Sequence, residues 1–299
     1  MRESPQYELV GIWEEDPAVR SQYEKTGVPI VKQDDLLGDR SVQVIAVESN
    51  IEQLPRYGRL ALEAGKHIHI DKPPSDNMED FRSMVAIARQ KQLLMQTGYM
   101  WRYHPGINAA LEAARNGWLG DVYLVRGTMN SLIAPDRRPL WGLFRGGQMF
   151  QDGCHLIDPL IRLLGAPLKV TPFLKKHGPF DDNVADNTMA IFEYSHAFGV
   201  IVSSALQPDS DAHRTFEVLG TNGTAVVRPI EPASLDVDLL KPAGPYQGGS
   251  QSVTLAPYVR YVGEFEELAE AVRLRRPLSI SPNQDLLVHE AVLRACGMF

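Results

Sequence analysis

Cysteine is scarce in this 299-residue chain, which holds only Cys154 and Cys296. Two thiols are too few for a disulfide framework or a cysteine metal site, and they favour a reducing compartment. No apolar run approaches the roughly 20 residues that cross a bilayer, so no membrane partner is expected. Basic clusters extend no further than Arg273-Leu274-Arg275-Arg276, and the net charge of −7 is spread along the chain. That leaves no cationic footprint for nucleic acid. No basic segment followed by an apolar one opens the sequence, so no signal peptide is read and the expected location is cytoplasmic. These absences point to a small-molecule partner.

One further absence is a spacing. Among 24 glycines, no two are separated by a single residue. The G-x-G-x-x-G turn that lets a backbone approach a dinucleotide pyrophosphate is therefore missing.

What is present is globular: 44% hydrophobic and 22% charged residues in a chain long enough for one large or two ordinary domains. The first third alternates β-type runs with helical spacing. Tyr7 to Trp13, Val42 to Val47, His67 to Ile70 and Leu93 to Thr97 read as strands, and Pro55 to Ala64 and Met78 to Gln90 as helices. Strands joined by helices predict a parallel sheet, because parallel neighbours need crossover connections. After about Tyr103 the pattern becomes Asp121 to Met129, Val170 to Lys176, Asn187 to Tyr194, Ala197 to Ala205, Thr215 to Leu219 and Ala225 to Arg228. Short turns between most of these predict a mostly antiparallel sheet, with one helix at Cys154 to Leu164. Pro229 to Ser252, rich in Pro, Gly and Ser, reads as a surface excursion. Val262 to Leu274 and Asn283 to Cys296 return to helix. The fold class expected is α/β: an incomplete Rossmann-type parallel domain at 1–101, then an α+β domain with an open antiparallel sheet at 102–299, whose last helices could pack back on the first.

The most specific local feature is Glu63-Ala64-Gly65-Lys66-His67-Ile68-His69-Ile70-Asp71-Lys72-Pro73. It reads as a helix end, a glycine cap, a short buried strand, then an acid, a lysine and a proline. Side chains at the carboxyl end of a parallel strand enter the crevice where doubly wound sheets bind ligands. Lys72 either meets a substrate there or faces solvent. The second feature is Gly146-Gly147-Gln148-Met149-Phe150-Gln151-Asp152-Gly153-Cys154-His155-Leu156-Ile157-Asp158. An imidazole near pKa 6.5 can take a hydroxyl proton, so His155 is a candidate general base; the alternative is a core histidine.

Both features resemble the Gfo/Idh/MocA oxidoreductases, and with them the likeness covers nearly the whole chain. Family members carry Glu-Lys-Pro where this chain reads Asp71-Lys72-Pro73, and Asp-x-Gly-x-His-x-x-Asp where Gln151 stands at the first position and Asp152 is displaced by one. The resemblance implies hydride transfer between a nicotinamide cofactor and a secondary alcohol of a sugar, cyclitol or derivative. Lys72 would stabilise the developing alkoxide and His155 would take the proton, with Asp152 or Gln151 sharing that pocket. At 100° per residue, Asp152 lies close enough on an α-helix to reach it. Asp158 is grouped with the substrate residues or orients the helix and its histidine. A divalent metal on Asp152, His155 and Asp158 is a rival reading, but i, i+3, i+6 spacing spreads them around a helix, and no metal is expected.

Gly98-Tyr99-Met100-Trp101-Arg102-Tyr103-His104-Pro105 resembles the family's domain-joining segment, which implies Arg102 and Tyr103 as donors to sugar hydroxyls; packing is the alternative for Tyr103. Asp186, opening the Asn187 strand, matches a substrate-side position. Glu14, beside Glu15 and Asp16, stands where the family places the acid for the adenosine ribose. A carboxylate there repels a 2′-phosphate and implies NAD over NADP, unless the three acids are only a solvated turn. Asn50, Asp71 and Lys72 complete the implied cofactor set. A homo-oligomer through the open sheet is also implied.

The missing glycine turn leads to a further expectation: a chain short of one strand, one turn and one helix, about 20–25 residues by typical lengths. Two alternatives stay open. One is a glycoside hydrolase using NAD transiently; the other is a cofactor-free sugar-binding or assembly subunit.

Overall fold

A computed structural model describes residues 4–299. They form two compact units, one of residues 4–75, 79–98 and 261–282, the other of residues 76–78, 99–260 and 283–299.

The first unit holds a three-stranded parallel sheet, β1 (Val44–Val47), β2 (His67–Ile70) and β3 (Met95–Thr97), in that order. β2 pairs Ile45 with Ile68 on one side and Ile68 with Met95 on the other. Ile68 and Ile70 are fully buried, as expected for a parallel strand covered on both faces. Four helices belong to this half of the chain: α1 (Pro17–Glu24), α2 (Gln33–Gly38), α3 (Leu54–Glu63) and α4 (Met78–Gln90). α3 buries Leu54, Ala61 and Leu62, and α4 buries Phe81, Met84 and Val85. Gly58 of α3 leaves room for the Met84 sulfur, since a Cβ there would meet it at 2.6 Å. α1 was not foreseen, although Asp16 accepts from the Ala18 N–H and Pro17 opens the helix, an ordinary start signal. α2 was missed too.

Tyr7 to Trp13, expected as a strand, forms none. Its one ladder contact is an isolated parallel bridge between Ile12 and Ile30. A strand needs a neighbour's peptide edge, and beside this stretch lies a cavity of about 530 Å³, lined by residues 6–15 on one wall and 41–49 on the other. On β1, the Gln43 and Val47 carbonyls accept from His67 and Asp71. By parallel-ladder alternation the peptide groups of Val44 and Ala46 then point to the opposite, cavity side.

The second unit is built on an eight-stranded sheet. Its strands are β4 (Val122–Thr128), β5 (Lys169–Lys175), β6 (Asn187–Glu193), β7 (Phe198–Ser204), β8 (Thr215–Gly220), β9 (Gly223–Val227), β10 (Asp236–Leu239) and β11 (Gly249–Ser252). All neighbours are antiparallel except β4 and β7. One face packs on helices: Gly127 and Gly199 admit Leu156 and Leu160, and Val125, Phe192, Ile201 and Val218 are fully buried. The opposite face carries Phe173, Met189, Ile191, Val200 and Val202 in register.

The helices of this unit are α5 (Pro105–Arg115), α6 (Arg138–Gly142) and α7 (Cys154–Leu164). α8 (Val262–Leu274) lies in the first unit, and α9 (Pro282–Ala295) lies almost wholly in the second. α5 was not foreseen; His104 caps it by accepting from the Ile107 N–H, and Pro105 is its first residue. Pro229 to Ser252 is not a simple excursion. Asp236-Val237-Asp238-Leu239 alternates with period two, pairs with β9 and buries Val237 and Leu239; the flanking Pro, Gly and Ser hid that alternation.

Candidate active site

In the first unit the candidates gather at the carboxyl ends of the strands. Lys72 and Asp71 follow β2, and the Asp71 carboxylate accepts from the Lys72 N–H at 2.7 Å. Glu48 follows β1, with Asn50 exposed two residues on. The Glu48 carboxylate lies 3.8 Å from His69 Nε2. Desolvation, then repulsion from Asp71 and Glu264, pushes its pKa up to about 8 against the pull of Lys72. The Glu48 side chain keeps 59% of its surface in water. Sequence reasoning passed over Glu48; its signal was an acid directly after a buried β run.

The three successive acids resolve into different tasks. Asp16 caps α1, while Glu15 accepts from the Tyr57 hydroxyl at 2.8 Å and pairs with Arg56 at 3.6 Å. Glu14 lines the cavity, with one oxygen accepting from the Asp16 N–H. A cavity-lining carboxylate, Glu14, and a strand-end lysine, Lys72, thus both stand in the first unit. The Gly146-Gly147 pair of the second unit serves packing. Gly147 has φ +47°, and a Cβ on it would meet the Ala185 carbonyl at 2.5 Å; one on Gly146 would collide with Cys296.

In the second unit His155 is the second residue of α7. It is buried, with the Tyr99 ring edge-on at 6.3 Å and the Trp101 ring tilted at 5.5 Å. The Tyr99 hydroxyl and Trp101 Nε1 are buried and make no hydrogen bond among the described residues. Burial, followed by the charges around it, drives the Tyr99 phenol well above its usual range.

The α-helical rotation assumed for Asp152 does not hold. Met149–Gly153 is a π turn, in which the Cys154 N–H reaches the Met149 carbonyl. Such turns widen the helix by one residue and are frequent at functional sites. Asp152 accepts from Ser131 Oγ at 2.9 Å and Gln148 Nε2 at 2.7 Å, and Gln151 is half-buried beside it.

Arg102 and Asp158, read as substrate contacts, hold each other. Arg102 donates through Nε and Nη2 to Asp158 Oδ1 at 2.9 and 2.7 Å, and through Nη2 to Asp285 at 2.6 Å. All three side chains are buried. Burial opposes the guanidinium charge, but the two carboxylates outweigh it and raise the Arg102 pKa. Tyr103, next along, is half-buried. Asp186 is fully buried; it accepts from Arg138 Nη2 at 2.8 Å and from the His177 and Gly178 N–H groups. Arg138 also donates to Asp182. Among the described residues no cluster of His, Cys, Asp or Glu is arranged to hold a metal, since Asp152 and Asp158 have the partners named above. Asp285 carried no sequence signal, because its partner Arg102 lies 183 residues away.

The model of an oxidoreductase family with an NAD-binding Rossmann fold matches residues 1–99, and that of the GFO/IDH/MocA C-terminal domain matches residues 107–226. The chain belongs to the Gfo/Idh/MocA family, and its first unit is a nicotinamide-cofactor domain of that kind. The trans-1,2-dihydrobenzene-1,2-diol dehydrogenase of Bos taurus is 26% identical over 64% of this chain and 56% of its own length. The 1,5-anhydro-D-fructose reductase of Ensifer adhaerens is 25% identical over 68% of this chain and 62% of its own. The chain thus spans less than two thirds of these relatives. A levoglucosan dehydrogenase, solved with NADH and levoglucosan, superposes with a TM-score of 0.82 at 20% identity, over 97% of this chain and 87% of that one.

Proposed function

We propose that this chain is an NAD-dependent oxidoreductase acting on a secondary alcohol of a sugar, cyclitol or related diol. The observation that carries the reading is Lys72 at the carboxyl end of β2, the central strand of the parallel sheet, in the position from which doubly wound folds address their ligands. When bound, the nicotinamide supplies the hydride acceptor or donor. Lys72 then stabilises negative charge on the substrate oxygen, and His155 takes or returns its proton. Glu14, which among the described residues has no ion pair like the Arg56 contact of Glu15, favours NAD over NADP. The relatives' names, with a dihydrodiol and an anhydro-sugar among them, support the substrate class. The open sheet face, with Phe173 42% and Phe198 53% exposed, supports a homo-oligomer, and the few cysteines support a cytoplasmic location.

Calorimetric titration with NAD, followed by NADH production over a panel of aldoses, polyols and cyclic diols, tests this. NAD binding together with turnover, the turnover alone being abolished by Lys72→Ala, supports it; a folded protein that binds no NAD overturns it. That second outcome would favour a cofactor-free sugar-binding chain, the reading suggested by the missing G-x-G spacing.

A further inference from the structure

Asp285 stands on α9, far in sequence from every residue discussed as catalytic, yet its carboxylate closes the second side of Arg102 at 2.6 Å. Asp158 closes the first side with two hydrogen bonds and lies three residues after His155 on α7. Arg162, one turn further, adds a 3.7 Å contact to the other Asp158 oxygen. Arg102 belongs to the short 3₁₀ turn Met100–Tyr103, so fixing its guanidinium fixes its neighbour Trp101. The guanidinium also lies 4.8 Å from the centre of the Tyr99 ring. Tyr99 and Trp101 are the two rings set against the His155 imidazole. The planar fork of an arginine can serve two carboxylates and a ring face together, which a lysine cannot.

We propose that Asp285 is a positioning residue: through Arg102 it holds the Tyr99 and Trp101 wall that sets the orientation of the His155 imidazole. This rests on the reading of His155 as the proton acceptor.

The test is a proton NMR comparison of the full chain with Asp285→Asn, which keeps shape and loses the charge. Ring currents from Tyr99 and Trp101 displace the His155 ring protons. In Asp285→Asn those resonances should move toward random-coil positions, while those of His104, held at 2.7 Å on the Ile230 carbonyl and packed on Tyr258, stay in place. Arg102→Lys should reproduce the His155 movement and serves where Asp285→Asn does not fold; Asp285→Glu should restore the wild-type positions. Unmoved His155 resonances in a folded Asp285→Asn or Arg102→Lys protein overturn the proposal. Equal movement of His104 does so too, since it would mean a general loosening of the unit. The readout needs no cofactor, so failure here is separable from failure of the proposed activity.

Discussion

Asp186 and Arg138 form an ion pair at 2.8 Å in which neither side chain has more than 1% of its surface in water. Asp186 also accepts from the His177 and Gly178 backbone, so it organises the 176–186 segment around one buried charge. Asp186→Ala would leave the guanidinium with Asp182 alone. Breaking a buried pair by removing one partner costs about 3–5 kcal/mol. Urea unfolding should show a loss of that order; a loss under about 1 kcal/mol would mean that the segment relaxes and rehydrates the arginine.

His289 gives a stability signature in acid. Burial, only partly offset by the Asn77 carbonyl, lowers its pKa to about 4 from 6.5. The unfolded chain therefore binds a proton that the folded chain refuses between these values. The contribution is present in full above pH 6.5 and is lost as the pH falls toward 4, amounting to roughly 3 kcal/mol over the window. The difference in unfolding free energy between wild type and His289→Gln should change along that window and stay flat above it. A difference independent of pH would show that the imidazole is charged or solvated in the fold.

Gly147 is left-handed at φ +47° with the Ala185 backbone against it. Gly147→Ala is expected to cost about 1–3 kcal/mol from backbone strain alone. Thermal unfolding measures it, and an unchanged midpoint would show that the 146–147 turn can adopt another path.

Glu14 bears on cofactor choice. Replacing it with serine removes the carboxylate that a 2′-phosphate would meet, and like-charge juxtaposition costs several kcal/mol. Calorimetry should show the NADP to NAD affinity ratio rising by about tenfold or more. An unchanged ratio would place the discrimination elsewhere.

The elements legible in the sequence were those whose partners lie in regular order along the chain. β1 to β9 carry clear period-two or continuous apolar runs, and α3, α4, α7, α8 and α9 carry readable helical spacing. α5 had a readable start in His104-Pro105, yet the alanines that follow give a weak apolar stripe. β10 was obscured because its alternation is only four residues long and sits among turn formers. Tyr7 to Trp13 failed for the opposite reason: its composition suits a strand, but composition cannot supply the neighbouring edge. At the site, Lys72 and His155 could be picked out because a motif of adjacent residues surrounds each. Asp285 and the pairing of Arg138 with Asp186 were not legible, since only the folded chain brings them together. The π turn at Met149–Gly153 likewise changed a spacing argument that assumed ordinary helix.

The outward peptide groups of Val44 and Ala46 have a consequence for what β1 can pair with. Among the described residues β1 has no ladder partner on this side, and such an edge is a template for an extended segment that reaches it. A proline at Val44 or Ala46 would withdraw one outward N–H from that template.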